Sequence, residues 1–434
     1  MSVATADIDG ISAALGTLPE EPTPAAAVID ELVEGVQPAL VATTGPRYFG
    51  FVTGGSLDAA TAAEVLATGW DQLAFNAVSS PAAAVVEEVA GGWLKELLGL
   101  PRAASFGFTT GGQAANTVAL AAARHHVLDE AGWDVEQDGL LGAPPVRVVA
   151  TGERHATIDR SLRLLGLGVG ALEPVAIDDQ GAIDPDDLAR VLAGGPASPT
   201  IVCLQAGNVN SGAFDDLERA AALAHDHGAW VHVDGAFGLW AAASPTTRHL
   251  TAGIETADSW ATDGHKWLNV PYDCGYTFCA HPEAHAAAMA YTAAYLTGQG
   301  AGGLRAPSDF VLESSRRARG FATWAALRQL GRRGVADLVD GCCALARRFA
   351  DHLSALDGVT VANDVVLNQV LVGFGDDDRT DKVVDAVQRS GECWMGATTW
   401  HGRRLMRIAV SSWRTTEADV DRSVAAIRTA MSAV

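Results

Sequence analysis

The stretch Asp258-Ser-Trp-Ala-Thr-Asp-Gly-His-Lys-Trp267 contains one of only three lysines among the 434 residues of the chain. An amine that condenses with a carbonyl must be partly desolvated, so that its neutral form is accessible near pH 7. Lys266 lies between His265 and Trp267, in a stretch with few other charges. This setting makes Lys266 the candidate for a lysine that forms a Schiff base.

A carboxylate precedes this lysine by 32 residues, in His232-Val-Asp-Gly-Ala-Phe237. Asp234 ends an apolar run, and a carboxylate there is costly unless it pairs with a cation such as a pyridinium. Pyridoxal phosphate (PLP) needs a lysine that holds its aldehyde and a carboxylate that keeps its pyridine nitrogen protonated. Asp234 and Lys266 together therefore predict PLP as the cofactor.

The composition is that of a globular protein, with 48% hydrophobic and 19% charged residues. The 30 basic and 52 acidic residues give a net charge of −22, which argues against nucleic acid and anionic membranes as partners. Six cysteines without a CxxC pair favour a reducing compartment. Because no signal peptide and no long uncharged apolar run are visible, we expect a soluble, cytoplasmic protein.

From residue 106 onward, short β-like runs alternate with helical segments, which predicts an α/β fold with a mostly parallel sheet covered on both faces. The expected strands are 146–150, 172–177, 200–204, 230–233 and 276–279, and the expected helices are 112–124, 159–165, 185–192 and 217–227. Helices at 316–330 and 335–356 should lead into strands 359–361, 370–374 and 406–410 and a last helix at 417–431. We expect an N-terminal arm and helical segment at 1–80, a large domain at 81–320 and a smaller α+β domain at 321–434.

Polar residues follow several of the predicted strands, where ligands of α/β sheets gather. Gly112 and Gln113 precede a good helix, so backbone N–H groups could approach a phosphate there, although the pair Gly111-Gly112 before a helix is more often a plain turn. His155 could stack on a flat cofactor, or it could be a surface or capping histidine. Asn208 lies in a polar loop that could also be a simple turn.

Taken in order, His155, His232-Val-Asp-Gly-Ala236 and Asp263-Gly-His-Lys-Trp267 resemble the group II PLP-dependent amino-acid decarboxylases, which have the aminotransferase-like fold type I. The resemblance runs from about Pro46 to about Asp419. It implies decarboxylation of an L-amino acid to the amine and CO2. It also implies a homodimer with its sites at the interface, where the partner contributes residues 51–56 or 295–305.

The resemblance implies a role for each matching residue. Lys266 would hold the cofactor covalently, Asp234 would pair with the pyridine nitrogen, and His155 and Ala236 would lie against the two faces of the ring. The other expected cofactor contacts are Gly112, Gln113 and His265 at the phosphate and Asn208 near the ring substituents. Tyr295 matches the family's loop tyrosine, which donates a proton after CO2 leaves and so favours an amine product over an aldehyde.

The chain departs from the family pattern on the substrate side. Gly112-Gln113 stands where relatives often have Ala-Ser or Ser, Asp263 stands where many have Asn, and the segment 48–56 differs from that of the aromatic decarboxylases. Phe51, Thr53 and Arg407 are the tentative substrate-binding residues. Arg407 matches the carboxylate-holding arginine of aminotransferases, but it could equally be a structural residue of a strand.

Other outcomes on the same scaffold stay open at this point: an aldehyde synthase, an aminotransferase or a carbon–carbon lyase. A catalytically inactive scaffold is a further alternative. The presence of Lys266, Asp234 and His155 argues against it, because an inactive scaffold has no need of these three groups together.

Overall fold

The computed structural model of the chain describes residues 8–293 and 303–434. Its large sheet contains β1 (Ser105–Thr109), β2 (Arg147–Thr151), β3 (Leu172–Val175), β4 (Thr200–Gln205), β5 (Trp230–Asp234), β6 (Ser259–Asp263) and β7 (Gly275–Cys279). The strand order is β1-β7-β6-β5-β4-β2-β3. Strand β7 is antiparallel to both of its neighbours, and the remaining pairs are parallel. The predicted mostly parallel sheet is thus confirmed.

Helices cover both faces of this sheet, and its strands are therefore buried along nearly their whole length. These helices are α4 (Pro81–Leu97), α5 (Gly112–Asp129), α6 (Val135–Asp138), α7 (Ala156–Leu164), α8 (Pro185–Gly194), α9 (Leu217–Asp226) and α10 (Pro282–Met289). Helix α5 is alanine-rich and almost entirely buried against the sheet. Small side chains let this helix lie close to the strands, with its N-terminus at one sheet edge.

The carboxyl ends of six strands lie at that edge. Strand β7 is antiparallel to both β1 and β6, so β1 runs in the same direction as β6. Strands β5, β4, β2 and β3 are parallel to β6 as well. The loops that leave these strands therefore lie side by side, and they carry the residues of the candidate site.

The C-terminal part is an α+β layer with β8 (Thr360–Val361), β9 (Gln369–Gly373), β10 (Gly396–Trp400), β11 (Arg403–Ala409), α11 (Gly320–Ser354), α12 (Asp377–Ser390) and α13 (Glu417–Ala433). Its antiparallel sheet has the order β10-β11-β9-β8. Buried apolar side chains of this sheet belong to the same core as those of the three helices. The expected α+β character is confirmed.

Helix α11 differs from the prediction at its start and agrees with it near the middle. Gly331 has a left-handed φ of 61° inside α11, where the two predicted helices were separated. The prediction that a helix begins at Arg316 is wrong. Both outer nitrogens of Arg316 instead donate to the buried Glu87 carboxylate at 2.7 and 2.8 Å. This ion pair holds the segment before α11 against α4.

Three helices precede the large sheet: α1 (Ile8–Leu15), α2 (Ala25–Val36) and α3 (Asp58–Gly69). Helices α1 and α2 contact each other, yet neither contains a buried residue. Apolar side chains of α2 consequently face outward. Within the described ranges, no helix is long and apolar enough to cross a membrane.

Candidate active site

Lys266 lies in the loop that follows β6, and its side chain is about one-fifth exposed (19%). The loop is held in place because the backbone N–H groups of Gly264 and His265 both donate to Cys274 O, at 3.0 and 3.1 Å. Lys266 Nζ lies 3.0 Å from Asp263 Oδ2, the last residue of the strand. The other two lysines bind elsewhere: Lys95 donates to two backbone carbonyls and Lys382 pairs with an exposed aspartate.

Asp234 ends β5, the strand next to β6, and only 6% of the residue is exposed. Its Oδ2 accepts a hydrogen bond from Asn116 Nδ2 at 3.0 Å, and its Oδ1 accepts one from Ala236 N at 3.2 Å. Among residues 8–293 and 303–434, no arginine, lysine or histidine forms an ion pair with this carboxylate. Burial of a carboxylate without a neighbouring cation costs free energy. A ligand with a positively charged group could supply the missing partner.

His155 caps the N-terminus of α7, where its Nδ1 accepts hydrogen bonds from the hydroxyl and the backbone N–H of Thr157 at 2.9 and 3.3 Å. The capping alternative is therefore correct as a description of its backbone role. The residue is exposed to solvent, and its ring lies within electrostatic range of Asp234 and Lys266. Partial desolvation of the ring by the surrounding residues lowers the pKa of His155.

The N-terminus of α5 faces the loop that carries His265. A Cβ added at Gly111 would lie 2.9 Å from His265 Cε1, and one at Gly112 would lie 2.8 Å from Asp263 Oδ2. Only glycine fits such close approaches. Gly112 N donates to Asp263 Oδ1 at 2.5 Å, so the carboxylate already occupies one backbone donor of this helix end. Burial lowers the pKa of His265.

Gln113 and Asn208 are engaged within the protein. The Gln113 amide donates toward α7, at 3.0 Å to Ser161 Oγ and 3.3 Å to Thr157 O, so its side chain turns toward that helix. Asn208 is buried, its Nδ2 donates to Glu153 Oε2 at 3.1 Å, and its Oδ1 accepts two backbone N–H groups of its own loop. Both side chains lie near the site, and their hydrogen bonds are made to protein groups that surround it.

Phe51 and Thr53 belong to a segment that packs beside Lys266 of the same chain, since a Cβ at Gly54 would lie 1.8 Å from Lys266 O. The Phe51 ring is 65% exposed and lies 5.1 Å from the ring of Trp394. Tyr272 stacks on His265 at 4.3 Å, and its hydroxyl forms a hydrogen bond with Thr53. The Tyr272 ring therefore lies beside the lysine loop, and Phe51 belongs to the segment that packs against it.

Arg407, on β11, points into the cleft from the C-terminal sheet. Its Nη1 donates to Val209 O at 3.1 Å, and burial lowers its pKa. No carboxylate in the described part of the chain lies in ion-pair contact with this guanidinium. The site thus contains an unpaired cation as well as an unpaired anion. Tyr295, the predicted proton donor, lies outside the described residues.

Sequence reasoning did not identify Asn116, Thr157 or Tyr272 as site residues. A signal existed for Asn116, because it follows Gly112 by four positions on an alanine-rich helix and therefore shares its face. Tyr272 gave no comparable signal, since it reaches His265 through tertiary packing.

The groups at this sheet edge fit PLP. The Asp234 carboxylate lacks the cation that a protonated pyridine nitrogen would provide, and the Lys266 amine lies at the end of the adjacent strand. The N-terminus of α5 offers further backbone N–H groups to a phosphate, while the Asp263 carboxylate that binds Gly112 N has the same sign of charge as the phosphate. The fold and these groups together define a PLP-dependent enzyme of fold type I.

Comparison with known proteins gives the family. Residues 13–374 match the model of the pyridoxal-dependent decarboxylase conserved domain, so the chain belongs to this family, and its activity class is PLP-dependent decarboxylation of an amino acid. Tyrosine decarboxylase 1 of Narcissus pseudonarcissus is 26% identical, over 93% of this chain and 82% of that protein. A phenylacetaldehyde synthase of a Rosa hybrid cultivar is 25% identical, over 92% and 83%.

The fold comparison agrees. The crystal structure of Oryza sativa TDC with PLP and tryptamine superimposes with a TM-score of 0.92 at 24% sequence identity, covering 100% of this chain and 93% of that one. The expected fold type I is confirmed.

Proposed function

We propose that this protein decarboxylates an aromatic L-amino acid to the corresponding amine and CO2, with Lys266 and Asp234 holding the cofactor. The observation that carries the proposal is the buried Asp234 carboxylate, which lacks a cation and lies on the strand next to the one that leads to Lys266. When bound, PLP supplies the electron-accepting ring that takes the electron pair of the broken Cα–carboxylate bond.

The residues of the chain would bind and orient around that chemistry. Asp234 would keep the proton on the pyridine nitrogen, because a buried carboxylate strongly favours a cation beside it. His155 and Ala236 would flank the ring, and Gly112 with His265 would approach the phosphate. The amide of Gln113 and that of Asn208 would fix the neighbouring loops, as their hydrogen bonds to Ser161 and Glu153 suggest.

The aromatic lining supports the substrate class. Tyr272 is exposed and stacks on His265, and the exposed Phe51 belongs to the segment that packs beside Lys266. Aromatic side chains favour aromatic ligands through offset or edge contacts. The unpaired Arg407 would attract the carboxylate of the incoming amino acid. Relatives that act on tyrosine support the same class.

Tyr295 would decide between amine and aldehyde. A tyrosine hydroxyl can return a proton to Cα once CO2 has left, which ends the reaction at the amine. Aldehyde synthesis is the second candidate, because a phenylacetaldehyde synthase is among the similar proteins. The tyrosine at position 295 favours the amine, in keeping with the family pattern.

We also infer a homodimer. Four apolar side chains of α2 are each between 45% and 57% exposed, namely Val28, Ile29, Leu32 and Val33. A helix with no buried residue gains little stability from contacts within its own chain. A second copy would cover this surface, and segment 295–305 is the remaining candidate for a shared site, since residues 51–56 lie beside Lys266 of their own chain. Sedimentation should give a dimer, whereas a fully active monomer of 44.9 kDa would contradict it.

A cytoplasmic location is the companion inference. The six cysteines, all within the described residues, are free and buried. Unpaired thiols are typical of reducing compartments. Fractionation of the producing cells should recover the protein with the soluble cytoplasmic enzymes.

The substrate proposal is tested by incubating the PLP-loaded protein with each of the twenty L-amino acids and measuring CO2 and the amine. We expect the aromatic amino acids to give the highest kcat/KM. Lys266→Ala serves as the control for uncatalysed amine. Preference for glutamate or another acidic substrate would overturn the aromatic assignment, and an aldehyde product would replace the first candidate by the second.

A further inference from the structure

Asn116 is a fully buried polar residue on the alanine-rich helix α5, and every polar atom of its side chain has a partner. Its Oδ1 contacts His232 Nε2 at 2.9 Å. Its Nδ2 contacts Asp234 Oδ2 and Thr157 Oγ1, each at 3.0 Å. This one amide therefore bridges the strand that carries Asp234 and the helix that His155 caps.

The direction of the hydrogen bonds behind Asn116 is fixed by chemistry. The Trp230 indole N–H can only donate, and it lies 2.9 Å from Ser259 Oγ. The Ser259 hydroxyl is then free to donate to His232 Nδ1 at 3.0 Å. A neutral His232 with an acceptor at Nδ1 has its proton on Nε2, and it donates this proton to Asn116. Burial lowers the pKa of His232 to about 4, which keeps the ring neutral.

Because Asn116 Oδ1 accepts from His232, the amide must present its N–H groups to Asp234 and Thr157. One N–H donates to the Asp234 carboxylate, which can only accept when ionised. The other N–H donates to Thr157 Oγ1, so the threonine hydroxyl has its own proton left for His155 Nδ1 at 2.9 Å. His155 Nδ1 then accepts from both the hydroxyl and the backbone N–H of Thr157, the latter at 3.3 Å, and the ring proton lies on Nε2.

We propose that Asn116 is a positioning residue that orients the Asp234 carboxylate and, through the Thr157 hydroxyl, adds to the backbone N–H of Thr157 in favouring the Nε2–H tautomer of His155. The inference rests on the proposed roles of Asp234 and His155 at the cofactor. The Asn116 amide would thus link Asp234 with Thr157 and, through it, with His155. A donor-only indole at one end and an acceptor-only carboxylate at the other leave the chain of hydrogen bonds a single direction.

The test is Asn116→Asp, which keeps the shape of the side chain but replaces the N–H donors with an oxygen. The second variant, Thr157→Val, removes only the hydroxyl between Asn116 and His155. The matched control is Asn363→Asp, another buried asparagine whose amide bonds Ser211 O and Gln369 O away from this network. Thermal denaturation of all three reports the general cost of each change.

Histidine tautomers are read from the ¹⁵N NMR spectrum of histidine-labelled protein with and without PLP, and His155→Gln identifies the His155 signals. We expect the Nε2–H form for His155 in the wild type. In Asn116→Asp and Thr157→Val the backbone N–H of residue 157 still donates to Nδ1, so we expect a minor Nδ1–H population to appear beside the Nε2–H form. PLP should bind about 10- to 100-fold more weakly to Asn116→Asp, the usual effect of removing a residue that orients a ligand-binding group. Asn363→Asp should change neither quantity.

An Nδ1–H tautomer in the wild type would overturn the proposal. So would an unchanged tautomer in Thr157→Val, or unchanged tautomer and PLP affinity in a folded Asn116→Asp. Failure of the proposed function is a separate result, because it would appear as absence of amine from the wild type, whereas the tautomer is measured in the protein itself without any turnover.

Discussion

Lys266 Nζ lies 3.0 Å from Asp263 Oδ2, so the proposed cofactor lysine forms an ion pair with the last residue of the strand that leads to it. The other oxygen of the same carboxylate accepts the Gly112 N–H at 2.5 Å. Asp263 therefore connects the lysine to the helix end that would meet the phosphate. A carboxylate at this place repels a phosphate but holds the loop and the helix together.

Asp263→Asn should strengthen PLP binding. The amide oxygen can still accept from Gly112, while the negative charge beside the phosphate is removed. Relief of a screened like-charge repulsion of about 1.4 kcal/mol corresponds to roughly tenfold in affinity. Titration of cofactor-free protein with PLP measures it. Asp215→Asn, another buried aspartate that accepts two backbone N–H groups, is the control, and equal effects in both variants would contradict an electrostatic cause.

Asp234→Ala should keep the fold and lower decarboxylation by several orders of magnitude, because the ring nitrogen would lose the anion that keeps it protonated. Steady-state kinetics of the PLP-loaded variant gives the loss, and thermal denaturation checks the fold. Near-normal turnover in a folded variant would remove Asp234 from the mechanism.

Tyr295→Phe should lower amine formation by roughly 10²–10⁴, the usual contribution of a positioned general acid. With no proton arriving at Cα, dioxygen can act as the oxidant, and the products then shift toward aldehyde and hydrogen peroxide. Amine, aldehyde and peroxide are measured together in wild type and variant. An unchanged product ratio would mean that another group delivers the proton.

Stability should fall on acidification partly because of His285, which is fully buried between Ser105 Oγ at 2.8 Å and Phe310 O at 3.0 Å. Burial lowers the pKa of His285 to about 3 from 6.5. Between pH 6.5 and that lower pKa the unfolded chain binds a proton that the folded chain does not, so the folded state loses stability as the pH falls. The loss reaches roughly 3 kcal/mol by pH 4 at about 1.4 kcal/mol per pH unit.

Urea denaturation at pH 7.5 and pH 4.5 checks this contribution. Glutamine can donate to Phe310 O and accept from Ser105 without titrating, so His285→Gln should lose less stability than the wild type between these pH values. Equal losses in both proteins would show that His285 does not contribute to the acid sensitivity.

The sequence predicted the parts of the site that depend on strand ends. Asp234 and Lys266 were placed together because PLP needs both a carboxylate and a lysine, and the strands β5 and β6 that lead to them are adjacent and parallel. Strand β6 itself was not predicted, since Thr262 and Asp263 give it a polar end that is buried through tertiary contacts with α5 and with the loop after β5. Strand β10 was also missed, because only Trp400 of its residues is buried.

Contacts that join distant segments could not be predicted from local pattern. Asn116 reaches Asp234 across 118 positions, and Trp394 reaches Tyr48 through a domain contact. In both cases the local sequence is typical of an ordinary helix or loop, and only the packed fold gives these residues their partners. The helix predicted from Arg316 began too early for the same reason, since its ion pair with Glu87 is a tertiary contact.

Identification of the lysine that holds PLP tests the central claim most directly. Borohydride reduction of the PLP-loaded protein, followed by proteolysis and mass spectrometry, finds the residue that bears the pyridoxyl group. We expect the label on Lys266 alone and its complete loss in Lys266→Ala. Lys95 and Lys382, held by Arg102 O and by Asp378, are internal controls in the same digest. A label on either of them, with Lys266 unmodified, would contradict the account.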